Sequence, residues 1–97
     1  MDGSTTYYVE FDAEPAPGSE HAGTIKDAKT HVWVVDDDAS AVLHRAKTYL
    51  LKHGWIVVRV VEGPRPTTFE QQRDLGRDIQ WGLAQRFGIS VALVPQP

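Results

Sequence analysis

The chain has 97 residues, with ten Lys and Arg against thirteen Asp and Glu, a net charge of −3 and no cysteine. That length supplies one hydrophobic core and hence one domain over residues 1–97, and a composition 41% apolar and 24% charged is that of a folded protein, not of a disordered tail. Without cysteine there is no disulfide, thiolate nucleophile or Cys-rich zinc site, and the acidic balance argues against nucleic acid or an anionic membrane as partner.

Met1-Asp2-Gly3-Ser4 has no basic n-region or apolar h-region, and no apolar run approaches ~18 residues, so a cytoplasmic location is expected. Charge is uneven along the chain. Residues 1–38 hold nine carboxylates against Lys26 and Lys29, a net −7, whereas residues 39–97 hold eight Lys and Arg against four carboxylates, a net +4. Such asymmetry suits an acidic arm folding onto basic helices, or complementary subunits.

Thr5 to Asp12 alternates Tyr7, Val9 and Phe11 with Thr6, Tyr8, Glu10 and Asp12, the pattern of a half-buried strand. Residues 13–29 are rich in Pro, Gly and polar residues without periodicity, which predicts a long loop. His31 to Val35 is a second strand. It runs into Asp36-Asp37-Asp38, where Asp37 or Asp38 suits a helix N-cap. Ala39, Val42, Leu43, Ala46, Tyr49, Leu50 and His53 then form one helical face, stopped by Lys52-His53-Gly54.

Trp55 to Glu62 is a third strand, ended by Gly63-Pro64-Arg65-Pro66 because proline cannot donate to a ladder. Thr67 with Glu70, or Thr68 with Gln71, makes a capping box for a second helix. Its apolar line is Leu75, Ile79, Leu83 and Phe87. As one piece from 68 to 87 it measures about 30 Å, longer than a sheet of short strands (~17–20 Å). A break near Gly76 or an overhang is therefore expected. Gly88 stops the helix, and Ile89 to Val94 is a short last strand.

The order β-β-α-β-α-β predicts an α+β, two-layer sandwich with a mixed four-stranded sheet, ferredoxin-like if the first strand lies between two later ones. Both helices on one face leave the other open, and an open face should read polar. With Val32 and Val34 turned to the helices, that face instead carries His31, Trp33, Val35, Trp55, Val57, Arg59 and Val61. This exceeds the scattered apolar exposure of a monomer. Something should cover it: a second subunit, helices on both faces, the 13–29 loop or a ligand. The reading adopted is a homodimer interface built on Trp33, Trp55, Val57, Arg59 and His31. Trp81 lies off the second helix's apolar line and is expected on its outer flank.

Val34-Val35-Asp36-Asp37-Asp38 before a helix resembles the opening of a response-regulator receiver domain. The resemblance implies Mg²⁺ on Asp36 and Asp37 for phosphate chemistry, and oxygen ligands suit that ion. It covers only residues 32–63. The strand Ile89 to Val94 lacks the phosphoacceptor aspartate such a domain needs. His44 and His53 are nine apart, too far for two ligands on one helical turn. No serine elbow or phosphate-cradling glycine loop is present, so no catalytic residue and no cofactor is nominated and an enzyme is not expected.

Thr30-His31-Val32-Trp33-Val34, a helix rich in Ala, Leu and Lys, His53-Gly54-Trp55 and Val61-Glu62-Gly63-Pro64-Arg65-Pro66-Thr67-Thr68 together resemble a group of small bacterial proteins of unknown function. The likeness spans residues 30–69 and implies an α/β fold without catalytic residues. The functional expectation is a small cytoplasmic binding or interaction module, homodimeric through its aromatic sheet face. The alternatives are the Mg²⁺ site at Asp36–Asp38 and a small-molecule sensor with its pocket between loop 13–29 and the sheet.

Overall fold

The structure, a computed structural model, describes residues 4–96. In chain order these form β1 (Thr5–Pro15), β2 (Asp27–Asp36), a 3-10 turn (Ala39–Ala41), α1 (Val42–Lys52), β3 (Trp55–Thr67), α2 (Phe69–Asp74), α3 (Asp78–Phe87) and β4 (Ile89–Gln96). One sheet runs β3-β1-β2-β4 with every neighbouring pair antiparallel. The α+β class holds, and the mixed sheet is corrected to an antiparallel one.

The cause lies in the second helical segment. A single crossover helix carries the chain to the far end of a sheet and leaves its two strands parallel. Here the segment breaks at Gly76, which adopts φ +74, and the two short helices return the chain to the end of the sheet it left. The end of β3 and the start of β4 consequently lie in one row, Thr67–Thr6–Val35–Gly88. Thr68 opens α2 with the capping box read from the sequence: its hydroxyl accepts the Gln71 N–H, and the Gln71 carboxamide accepts the Thr68 N–H, both at 3.2 Å.

The layers also differ from expectation. On one face α1 sets Val42, Ala46 and Leu50 against Val9, Phe11, Ala13, Val32, Val34 and Trp55, all buried. On the other, α3 sets Ala84 against Tyr8 and Trp33. Helices on both sides make three layers instead of two. A ferredoxin-like layout needs both helical connections on one face; only its split portion, β1 between two strands joined by α1, has a counterpart here.

The strands are longer than the sequence suggested, so the 13–29 loop contracts to residues 16–26. It lies over the α1 face: the Ala16 N–H donates to the Gly54 carbonyl at 2.8 Å, and the His21 ring stacks on Trp55 at 5.3 Å. β3 continues through Pro64 and Pro66 to Thr67 instead of ending at Glu62. It is an edge strand, where a missing N–H costs no ladder bond on the open side. Its pairing with β1 shifts register three times.

The apolar line Leu75, Ile79, Leu83 and Phe87 points outward, with exposures of 58, 73, 39 and 65%. Beneath α2 and α3 stand Trp33 and Tyr8, which already fill the space. The inner positions are therefore small or polar: Ala84, and Gln72, whose carboxamide oxygen accepts the Trp33 indole N–H at 2.9 Å. Trp81 is half-buried and meets Phe69 edge-on at 6.4 Å. No helix among the described residues is long and apolar enough to cross a membrane.

Candidate functional site

The five residues expected at an interface do not share a surface. Trp55 and Val57 belong to the α1 side, whereas His31, Trp33 and Arg59 lie on the α3 side. A bulge at Val58 causes the split: Val57 pairs with Ala13 and Arg59 with Asp12, so Val57 and Arg59 face opposite ways although two apart. Trp33 at 0% and Trp55 at 2% exposure are buried inside the one chain. Sheet alternation placed them together; register separates them.

Where α3 leaves the sheet uncovered, over β1 and β3, the face is polar. Lys29, Asp12 and Arg59 form one cross-strand row, with ion pairs of 2.8 and 2.6 Å that hold the Asp12 carboxyl below its ordinary 3.8. Beside it, the Tyr8 hydroxyl lies 2.7 Å from His31 Nδ1 and accepts from Arg77 at 3.1 Å. Burial raises the Tyr8 hydroxyl above 10.0. Burial and then the Arg77 guanidinium hold His31 below 6.5. The Glu10 carboxylate lies 3.3 Å from the same hydroxyl, so phenol, imidazole, carboxylate and guanidinium satisfy one another.

The acidic triplet is occupied in a similar way. Asp36 accepts the Asp38 N–H and an Arg45 N–H, each at 2.9 Å, and both hold its carboxyl below 3.8. Asp38 caps the 3-10 turn by accepting the N–H and hydroxyl of Ser40. Asp37 is exposed. Among the described residues no three His, Asp or Glu converge as a metal site.

The two edges of the sheet differ sharply in character. β3 carries three register shifts, Pro64, Pro66 and the charges Arg59, Glu62 and Arg65, the devices by which edge strands refuse partners. β4 is regular along its whole pairing with β2, and residues 89–96 contain no charge. The Val35 N–H donates to the Gly88 carbonyl at 2.9 Å. By the alternation of an antiparallel ladder, Ser90, Ala92 and Val94 then turn their backbone groups to β2. Ile89, Val91 and Leu93 turn theirs to the open side, as does Pro95, which has no N–H to lose there.

Apolar flanks stand on both sides of this edge. Three clefts meet along it, and Tyr49 lines all of them. One of about 240 Å³ includes Arg45, Thr48 and Ile89. Another of about 300 Å³ includes His21, His53, Trp55, Val91 and Leu93. The third, about 420 Å³, includes Leu83 and Phe87 of α3 with Ile89 and Val91. A larger cleft of about 530 Å³ at the far end of β1 and β2 is lined by Asp12, Glu14, Lys26, Asp27 and Lys29, whose charges already pair in part. The β4 edge is thus the site whose backbone groups and side chains both want a partner. The uncharged run 89–96 was visible in the sequence; that it closes the sheet was not. No family model matches the chain, and no curated protein or solved structure does either.

Proposed function

We propose that this chain is a small cytosolic interaction module that binds by strand addition at β4. The observation that carries the reading is the contrast between edges: β3 is bulged, proline-bearing and charged, while β4 is regular, uncharged and flanked by exposed Leu83, Phe87 and Leu93. An added strand gains main-chain hydrogen bonds from Ile89, Val91 and Leu93 and side-chain contacts from the clefts on either side. The preferred partner segment is extended and uncharged, because nothing along residues 89–96 balances a buried charge.

Amide exchange tests this. The Val91 and Leu93 N–H groups have no acceptor on β2, so protection of these two amides reports an occupied edge. Leu93→Pro removes an outward donor that β2 does not use, and should abolish that protection while leaving the β2–β4 amides protected. Unprotected exchange of Val91 and Leu93 at every concentration and with every added peptide overturns the reading.

A second reading has one specific observation behind it. The cleft beside loop 16–26 is walled by two ring pairs, His21–Trp55 at 5.3 Å and Tyr49–His53 at 4.4 Å. Those flat walls suit a small planar ligand, as a sensor would need. A thermal-shift screen with indoles and nucleobases, in which His53→Ala cancels any stabilisation, distinguishes it from strand addition.

A further inference from the structure

We infer that the segment added at β4 is β4 of a second copy, giving a two-fold dimer in which the sheets join edge to edge and the α3 helices pack side by side; this rests on the strand-addition reading. Self-pairing asks that a strand tolerate its own sequence in reverse. Residues 89–96 do so, because no like charges are brought together. Centred on Val91, the pairing sets Val91 against Val91 and Ile89 against Leu93. It uses the three outward-facing residues and leaves Pro95 outside.

A two-fold axis normal to the sheet keeps faces together, so each α3 meets the other antiparallel. Ile79, Leu83 and Phe87 then find each other, and Asp78 in the first turn of one helix approaches Arg86 in the last turn of its mate. The paired span 89–93 offers about 17 Å of edge. With layers about 30 Å deep behind it, the footprint is on the order of 500 Å² per copy, which with both copies counted just reaches the size of a specific interface. The same contact is isologous and consumes β4 in both copies, leaving only the guarded β3 edges, so assembly stops at two.

The native chain should sediment and scatter at twice its 10.8 kDa at tens of micromolar. Because it has no cysteine, single cysteines report the geometry directly. A hydrogen-bonded antiparallel pair has Cα atoms about 5.5 Å apart, within disulfide range. Val91→Cys should give at least ten-fold more disulfide-linked dimer under mild oxidation than Val58→Cys on the opposite edge. A dimer with equal cross-linking of the two variants, unaffected by Leu93→Pro, overturns self-pairing, and the strand-addition reading then stands or falls on the peptide titration below. A monomer at hundreds of micromolar overturns self-pairing alone if its Val91 and Leu93 amide resonances shift on adding a capped, uncharged Thr-Val-Thr-Val-Thr peptide. If they do not shift, both readings fall.

Discussion

Trp33 shows how one side chain acquires a different task from the one its type suggests. A tryptophan in the middle of a strand reads as a large apolar surface in search of cover. Here it is fully enclosed by its own chain, and its indole N–H is spent on Gln72, itself fully buried and donating to Thr67 at 2.7 Å. Trp33→Phe keeps most of the volume but leaves a buried carboxamide oxygen without its donor, so it should cost about 1–3 kcal/mol, measured by urea denaturation. His31 permits a second prediction. Tyr8, Glu10 and Arg77 surround it, with Lys29 and Glu62 further off, and its folded pKa is depressed. Below about 6.5 the unfolded chain takes up a proton that folded His31 refuses. Its contribution is therefore complete above that pH and is lost as pH falls through the folded value. His31→Gln should flatten the fall in urea midpoint between pH 7.5 and 5.5, with His21, His44 and His53 common to both proteins. Parallel curves would sink this assignment. The carboxyls of Asp12 and Asp36 act in a lower window, beginning near 3.8.

Among the elements, the glycines separate local preference from tertiary fit. Gly82 lies inside α3, with open space where a Cβ would stand. Gly82→Ala should stabilise the protein by roughly 0.5–1 kcal/mol through helix propensity alone. Gly63 sits on β3 at φ +81, and a Cβ there would meet the Tyr8 carbonyl and the Val9 backbone. Gly63→Ala should thus destabilise by more than Gly82→Ala gains, and the two melting temperatures should move in opposite directions. Element identity was legible in the sequence at β1, β2, α1 and the Thr68 cap, where alternation, four-residue spacing or a capping pair is complete within a few residues. Element ends were less so. β3 outruns its prolines because it is an edge strand, and edge position is a property of the sheet, not of residues 55–67.

For the whole molecule, the outward line of α3 carries the consequence that matters most. Ile79 and Phe87 are 73 and 65% exposed, so Ile79→Glu with Phe87→Glu removes little packing from the single chain. The double variant should nearly retain the melting temperature of the dilute native protein. The native protein, however, should melt higher as concentration rises, because binding a second folded copy draws the equilibrium away from the unfolded state. The variant should lose that dependence. A native melting temperature independent of concentration from one to hundreds of micromolar would count against assembly through this side. The sequence pointed to excess apolar surface and to an oligomer, but assigned the surface to the sheet face of Trp33 and Trp55. The excess lies instead on the outer line of α3 and along both edge strands, at Leu93 and Val94 of β4 and at Ile56, Val58, Val60 and Val61 of β3.

Periodicity and capping by themselves determined where the strands and helices lie, though not all of their ends, and marked Gly76 as one of two ways to fit the second helix to the sheet. These depend on neighbours a few positions apart. Which face each helix covers, which strand ends the sheet and which tryptophan meets which helix were decided only by the tertiary structure. The bulge at Val58 turns Val57 and Arg59 to opposite sides, and the reversal at Gly76 sends β4 antiparallel to the far edge of the sheet. Both are single-residue events with long-range effects. A side-chain pattern of period two or 3.6 keeps the same appearance whichever way they fall.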